Sequence, residues 1–310
     1  MLYLDSFYFP SDDTETDFLY PSDGGVTPDG IAYSKRITKA SMTCFGTSYP
    51  FGIFPLKECG CLKFTSPITI LYGTNGSGKT TALNVMAEKL HLQRDALYNK
   101  APFMDDFVEL CGYNPTDDVH GIPFNSRMIA SDDVFNFMLN LRSVNQQIDL
   151  RREELFKIYN EGRVGDNANF NNGYSMEMYE KAKKTLAKSK SKSQFIKKNL
   201  TKNIREQSNG ESALMYFEQK IEENALYLLD EPENSLSPEK QIQLVEYIES
   251  SAKGCGCQFI IATHSPFLLA MRYSEVYDLD ETPVCKKNWT ELKNVRQYWD
   301  FFKSHENEFQ

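Results

Sequence analysis

The sequence lacks any hydrophobic run long enough to cross a membrane. A transmembrane helix needs about 20 consecutive, mostly apolar residues, and the 310 residues contain no such run. The first residues, MLYLDSFYFPSDDTETDF, are acidic and lack the basic region with which a signal peptide begins. We therefore expect a cytoplasmic protein with no membrane partner.

Paired C-x2-C motifs are also missing, although the chain has seven cysteines. The nearest pairs, Cys59/Cys61 and Cys255/Cys257, have the spacing C-x-C. A structural zinc site more typically combines two C-x2-C pairs. Reduced thiols are the default in a cytosolic protein, so the sequence favours reduced cysteines over a zinc site.

Strands of continuous apolar residues alternate with helical patterns along most of the chain. ITILY at 68–72, NALYLLD at 224–230 and CQFIIAT at 257–263 are apolar on both faces, which is typical of buried parallel strands. The pattern predicts an α/β fold with parallel strands at its centre. The composition of residues 1–45 predicts an irregular acidic arm or short strands. Residues 46–310 are predicted to form one domain with a polar helical insertion at 140–205.

A glycine-rich segment, GTNGSGKT at Gly73–Thr80, matches the motif G-x-x-x-x-G-K-[ST] and lies between a predicted strand and a predicted helix. Glycines let the backbone wrap a phosphate with its N–H groups pointing inward. Lys79 would contact the β- and γ-phosphates, and the Thr80 hydroxyl would ligate Mg²⁺. The predicted nucleotide-binding residues are Asn75, Gly76, Ser77, Gly78, Lys79, Thr80 and Thr81.

Acidic residues follow the strand LYLLD, and a histidine ends the next apolar strand. Asp230 would hold Mg²⁺ opposite Thr80. Glu231 would act as the general base or orient the attacking water. Parallel strands deliver their carboxyl ends to one edge of the sheet, so His264 would reach the γ-phosphate. The alternative for Asp230 and Glu231 is an acidic turn after a core strand, and the alternative for His264 is a hydrogen-bonded polar residue at a strand end.

In this order, the motifs GTNGSGKT, SNGES, LYLLDEPENSLS and IIATHS resemble those of the ABC-type ATPases. The resemblance runs from about Gly52 to the C-terminus. It is strongest to the soluble branch, which includes DNA-repair and chromosome-maintenance ATPases and compact bacterial ATPases without a transporter. It implies a P-loop NTPase fold with an ABC-type head, a largely parallel sheet, a helical subdomain inserted before the signature motif, and ATP with Mg²⁺ as ligands.

SNGES, at 208–212, occupies the signature position of that family. The resemblance implies a head-to-tail homodimer in which Ser208 and Gly210, with Glu211 beside them, contact the γ-phosphate held by the other chain. The segment departs from the usual LSGGQ at Gln207, Asn209 and Glu211. A plain Asn-Gly turn is the alternative.

Two further site predictions depend on the resemblance. Asp132, or its neighbour Asp133, stands where the family has a glutamine that contacts Mg²⁺ and water, which makes Asp132 a candidate metal ligand. The family often stacks adenine on an upstream aromatic residue. The sequence does not choose between its three candidates, which are Tyr49, Phe51 and Phe54.

A basic stretch without any carboxylate, Lys181–Arg205, stands out in a chain whose net charge is −9. It is either a solvated helical arm, a contact to the phosphate backbone of DNA or RNA, or a docking site for an acidic partner. The candidate nucleic-acid contacts are Lys183, Lys184, Lys188, Lys190, Lys192, Lys197 and Lys198.

The leading functional hypothesis is a Mg²⁺-dependent ATPase that dimerises on ATP and switches a separate effector. The resemblance suggests an anti-phage or retron-like module with a nuclease or toxin partner. We expect the 46 residues after His264 to leave no room for the nuclease domain that some relatives append, and any nuclease activity to reside in a partner. The alternatives are a DNA-repair or chromosome-maintenance ATPase, the nucleotide-binding subunit of a transporter, and a scaffold in which ATP only holds the dimer.

Overall fold

The computed structural model describes residues 1–19, 25–26, 32–33, 48–53, 56, 59–96, 98, 100–117, 121–164 and 209–309. The strands are β1 Leu4–Tyr8, β2 Gly25–Val26, β3 Ala32–Tyr33, β4 Cys61–Lys63, β5 Ile68–Tyr72, β6 Gly112–Pro115, β7 Arg127–Ala130, β8 Leu226–Asp230, β9 Gln258–Ala262, β10 Ser274–Asp278 and β11 Cys285–Lys287. The helices are α1 Asp12–Leu19, α2 Lys79–Lys89, α3 Met104–Leu110, α4 Ser131–Val164, α5 Asn209–Lys220, α6 Pro238–Gly254, α7 Pro266–Leu269 and α8 Lys293–Ser304, with 3-10 turns at Trp289–Glu291 and Glu306–Glu308. None of the helices in these ranges is long and apolar enough to cross a membrane.

The central sheet has six strands in the order β11-β10-β5-β9-β8-β7. Neighbouring strands from β10 to β7 are parallel, and β11 pairs antiparallel with β10 at one edge. All residues of β5, β8 and β9 are buried, which explains their uninterrupted apolar sequences. The predicted α/β fold with a largely parallel central sheet is confirmed.

The chain divides into two compact units. The first comprises residues 1–134 and 213–310 and contains the six-stranded sheet. The second comprises residues 135–212, the region in which a helical insertion at 140–205 is predicted. In the second unit the structure describes the continuation of α4 to Val164 and the first residues of α5. Residues 165–208 lie outside the described part of the chain.

The first 19 residues belong to the first unit and contain a strand and a helix. Strand β1 lies between β4 and β6 in a three-stranded antiparallel sheet, and Leu4 and Phe7 are fully buried. The side-chain amide of Gln258, at the start of β9, forms hydrogen bonds with the backbone at the start of β1. Its Oε1 accepts hydrogen bonds from Tyr3 N (2.7 Å) and Leu4 N (2.9 Å), and its Nε2 donates to Leu4 O (2.9 Å). These bonds between residues about 255 positions apart attach the N-terminus to the central sheet.

Helix α2, which follows the glycine-rich segment, is buried over most of its circumference. Ala82, Leu83, Val85 and Met86 have no exposed surface. They belong to the same core as β1, β4 and the aromatic rings of Phe51, Phe103 and Phe107. A helix held on nearly all sides keeps a fixed position, so the glycine-rich segment is attached to a rigid support.

Candidate functional site

Three strands of the central sheet end level with one another. Leu71 on β5 pairs with Ala262 on β9, and Ala262 pairs with Asp230 on β8. The residues that follow these strand ends therefore meet at one edge of the sheet. They are Gly73, Glu231 and the segment that contains His264, which is why motifs far apart in the sequence come together.

The glycine-rich loop folds around its own lysine. Gly76 and Gly78 have φ values of 86° and 92°, a conformation that L side chains rarely adopt. A Cβ atom at Gly78 would lie 2.9 Å from Ile53 Cγ2, so this glycine is also required by space. Lys79 Nζ donates hydrogen bonds to Gly73 O (2.7 Å) and Thr74 O (3.1 Å). Burial lowers the pKa of the Lys79 ammonium, although nearby carboxylates oppose this effect.

Thr80 and Asp230, 150 residues apart, are in contact. Thr80 Oγ1 donates a hydrogen bond of 3.1 Å to Asp230 Oδ1. Burial raises the pKa of Asp230 to about 6, although the bond from Thr80 acts in the opposite direction. Hard oxygen atoms are the ligands that Mg²⁺ prefers, and Mg²⁺ usually takes only one or two carboxylates in addition to phosphate oxygens and water. The pair fits Mg²⁺ on this criterion. Across the described residues, no group of three His, Cys, Asp or Glu side chains forms an alternative cage.

Replacing Asp230 with Asn is expected to stabilise the metal-free protein, and more so at high pH. The folded-state pKa of about 6 lies above the ordinary value of 3.8, so the folded protein holds this proton more tightly than the unfolded chain. The charged carboxylate therefore costs stability that sets in between about pH 4 and pH 6 and persists above that range. The cost corresponds to at most about 3 kcal/mol.

Urea denaturation of both proteins in EDTA, at pH 5.5 and pH 8, measures this effect. Asp300→Asn, at an exposed position of α8, is the matched control. We expect the advantage of Asp230→Asn to be larger at pH 8. An equal effect at both pH values, or a loss of stability, would contradict the argument.

Glu231 and His264 face each other beside the loop. Glu231 has a positive φ of 47°, its N–H donates to Ala262 O (2.8 Å), and its Oε2 accepts a hydrogen bond from Asn234 Nδ2 (2.9 Å). Glu231 Oε1 lies 3.4 Å from His264 Nε2. Burial and the adjacent Lys79 lower the pKa of His264, so the imidazole is neutral at neutral pH and the contact is not an ion pair. His264 Nε2 is buried without a hydrogen-bond partner among the described residues, which leaves it available to a ligand.

Glu233 is a site residue that the sequence analysis did not identify. Its Oε1 accepts hydrogen bonds from Thr263 Oγ1 (2.6 Å), His264 N (2.8 Å) and Ser265 N (3.1 Å). The side chain thus ties the turn after β8 to the segment that carries His264. The available signal was the second acidic residue of DEPE, but its partners become visible only when β8 and β9 lie side by side.

A cavity of about 420 Å³ opens above the loop. Of the three aromatic candidates, Tyr49 lines this cavity, and its hydroxyl lies 2.6 Å from Thr81 Oγ1. Phe51 is buried and its ring stacks on Phe18, whereas Phe54 lies outside the described residues. The lining residues are Tyr49, Ile53, Asn75, Gly76, Gly78, Lys79, Thr80, Thr81 and Glu231.

The structure places Asp132 and Asp133 differently. Asp133 is buried and accepts hydrogen bonds from Ala96 N (2.5 Å) and Ala130 N (2.7 Å), so it fixes the start of α4. Asp132 is exposed in the first turn of α4 and is not among the residues that line the cavity. The role of Asp132 as a metal ligand stays a prediction.

The remaining predicted residues lie in the second unit. Gly210 and Glu211 belong to the first turn of α5. Ser208 lies outside the described residues, as do the seven lysines Lys183, Lys184, Lys188, Lys190, Lys192, Lys197 and Lys198. Their proposed contacts stay predictions.

The strand order and the loop define a P-loop NTPase. The strand before the loop (β5) and the acidic strand (β8) flank the strand that ends at His264 (β9), and a second unit is inserted between β7 and β8. The family model described as "AAA domain, putative AbiEii toxin, Type IV TA system" matches residues 84–270. The chain belongs to this family. The match begins just beyond the loop and includes Asp230, Glu231 and His264.

Several solved structures are similar to part of the chain. A nucleotide-free ATP-binding cassette from an ABC transporter is 19% identical, with coverage of 76% of this chain and 87% of that chain and a TM-score of 0.38. A dimeric ATP-binding cassette in a post-hydrolysis state, bound to ADP and Pi, is 13% identical, with coverage of 75% and 90% and a TM-score of 0.35. A metal-chelate-type ABC transporter in an inward-facing conformation is 15% identical, with coverage of 75% and 76% and a TM-score of 0.35. No curated protein matches the chain.

Proposed function

We propose that the protein is a Mg²⁺-dependent ATPase whose nucleotide state switches a separate effector. The observation that carries this proposal is the convergence of four residues on the phosphate loop at one edge of the sheet. Thr80 and Asp230 are in contact, and Glu231 and His264 stand 3.4 Å apart beside them. The arrangement places hard-cation ligands, a carboxylate base and an unpaired imidazole nitrogen around the position of the phosphates.

Each residue has a separate chemical task in the proposed hydrolysis. Lys79 and the loop N–H groups bind the β- and γ-phosphates. Glu231 orients a water molecule and takes its proton as the water oxygen attacks the γ-phosphorus and the bond to the ADP oxygen breaks. His264 Nε2, in the tautomer that carries the proton there, donates a hydrogen bond to the γ-phosphate.

Thr80 and Asp230 would hold Mg²⁺, which when bound neutralises negative charge on the phosphates. Tyr49, which lines the cavity, would contact the base. Asp230 and Glu231 stand at the end of β8, Thr80 follows β5 through the loop, and His264 follows β9. The sheet therefore sets the spacing among these residues.

A second copy of the chain would complete the site. Of the signature residues, Gly210 and Glu211 lie in the first turn of α5, and the N-terminus of a helix suits an anion. Ser208, which precedes Asn209 in the sequence, would add its hydroxyl. In the proposed head-to-tail dimer, these residues of one protomer contact the γ-phosphate bound by its partner.

Mixing two inactive variants tests this dimer. Lys79→Ala lacks a functional loop, and Ser208→Arg lacks a functional signature. Each alone is expected to be inactive, whereas their mixture should regain turnover because one site of the mixed dimer has both halves intact. Random pairing predicts about a quarter of the wild-type rate at equal total protein. Gln297→Arg, at an exposed position of α8, is the control for the bulky charge and should be fully active. A mixture as inactive as its components would exclude the shared site.

The family description names a toxin of a toxin–antitoxin system, which supports a toxin or defence context. We propose a nuclease or toxin as the partner and a nucleic-acid contact through Lys181–Arg205. Glu231→Gln protein, retrieved from its native host in Mg-ATP, should recover this partner, whereas Lys79→Ala protein should not. Loss of nucleic acid when the seven lysines are neutralised would support the contact. Recovery of a membrane permease would contradict the proposal and favour a transporter subunit.

A further inference from the structure

Asp280 lies beside the phosphate loop, on the side away from His264. Strand β10 runs parallel to β5, with Asp278 paired with Tyr72, and Leu279 N donates to Tyr72 O (2.8 Å). The residue after Leu279 therefore emerges level with the start of the loop. Because β5 has β9 on one side and β10 on the other, the loop is flanked by His264 on one side and by Asp280 on the other.

The Asp280 carboxylate binds the loop backbone directly. Its Oδ1 and Oδ2 lie 2.8 and 2.9 Å from Thr74 N, and Thr74 Oγ1 donates a further hydrogen bond of 2.9 Å to Oδ1. On the other side, Lys79 Nζ holds the carbonyls of Gly73 and Thr74. Thr74 is thus held through its N–H by Asp280 and through its carbonyl by Lys79.

The carboxylate is itself fixed by the hairpin of β10 and β11. Asp280 N donates to Asp278 Oδ1 (3.0 Å). Asp278 is 3% exposed, and its Oδ2 accepts a hydrogen bond of 2.9 Å from Lys287 Nζ. Lys287 also pairs with Glu281 (2.6 Å). The hairpin therefore presents the Asp280 carboxylate to the loop in a defined position.

A carboxylate beside a phosphate site needs an explanation, because it repels the ligand. The hydrogen bonds that Asp280 and Lys79 form with Thr74 explain its presence. The Lys79 ammonium has three N–H donors, two of which bind the carbonyls of Gly73 and Thr74. Bound phosphates would compete for these donors, which weakens one of the two attachments of the first half of the loop. The Asp280 attachment does not compete with the phosphates for Lys79 and remains.

We propose that Asp280 is a positioning residue for nucleotide binding, which keeps the segment Gly73–Thr74 in its binding conformation when the phosphates compete for the donors of Lys79. The inference depends on the proposed nucleotide binding by this loop. It makes the β10–β11 hairpin part of the nucleotide site, although the hairpin supplies no group that touches the phosphates.

Three variants test this role, with ATP affinity measured by calorimetry in the Glu231→Gln background and kcat and KM measured in the wild-type background. Asp280→Ala should weaken ATP binding by about tenfold and raise KM similarly, with kcat changed by less than about twofold, because a charge-assisted attachment is lost from the ground-state loop. Asp280→Asn keeps an acceptor for Thr74 N–H and should restore most of the affinity. Asp300→Ala, exposed on α8, is the control and should bind ATP normally.

The outcomes separate this inference from the function on which it depends. A wild-type protein that does not bind ATP would overturn the proposed function itself. If the wild-type protein binds ATP and Asp280→Ala binds it equally well or more tightly, only the positioning role is wrong. Asparagine as weak as alanine would also overturn it, because the carboxylate charge and not the attachment would then matter.

Discussion

Replacing Lys79 with Ala is expected to abolish ATP binding, with a loss in affinity of at least about 100-fold. Lys79 is 5% exposed, and its charge is surrounded by the carboxylates of Asp230, Glu231, Glu233 and Asp280. Without the ammonium, the phosphates would face these acids with no opposing charge from this side chain. The carbonyls of Gly73 and Thr74 would also lose their donor.

Calorimetric titration with Mg-ATP measures this loss directly. Lys253→Ala, at an exposed position near the end of α6, removes a lysine of equal charge elsewhere on the same unit and should bind ATP like the wild type. Denaturation curves of both variants show whether the fold is retained. A folded Lys79→Ala protein with wild-type affinity would mean that the loop is not the nucleotide site.

Replacing Glu231 with Gln is expected to reduce turnover by about 10²- to 10⁴-fold while ATP binding is retained. Glutamine has nearly the same shape, and its amide oxygen can still accept the hydrogen bond from Asn234 Nδ2. Because His264 is neutral, no ion pair is lost on substitution. The loss would therefore report the missing base rather than a rearranged turn.

Single-turnover hydrolysis and light scattering in Mg-ATP together measure the effect. The variant should accumulate as an ATP-bound dimer, because binding proceeds and hydrolysis does not. Glu239→Gln, exposed in the first turn of α6, is the control and should turn over normally. Equal turnover in wild-type and Glu231→Gln protein would favour the scaffold in which ATP only holds two chains together.

A short stretch of sequence predicts a structural feature when the residues that cause the feature all lie within that stretch. The loop Gly73–Thr80 needs glycines for its backbone angles and a lysine and threonine at its end, so its residues identify it without any partner. The apolar runs of β5, β8 and β9 predict buried parallel strands for the same reason, and strands of that kind predict that Asp230 and His264 reach one edge.

The local sequence could not show which of several neighbouring aromatic or acidic residues belongs to the site. Tyr49 and Phe51 are two positions apart, yet one lines the cavity and the other is packed against Phe18. Asp132 and Asp133 are adjacent, yet one is exposed and the other holds the backbone of Ala96 and Ala130. Their environments depend on segments elsewhere in the chain.

The sequence alone determined the class of fold, the phosphate loop and the residues that follow the strands. Only the tertiary structure decided that β1 is attached to the sheet by Gln258, that Glu233 holds the segment of His264, and that Asp280 holds Thr74. Each of these depends on hydrogen bonds between residues 30 to 255 positions apart. Such bonds follow from the order and register of the strands, which no local pattern of residue types encodes.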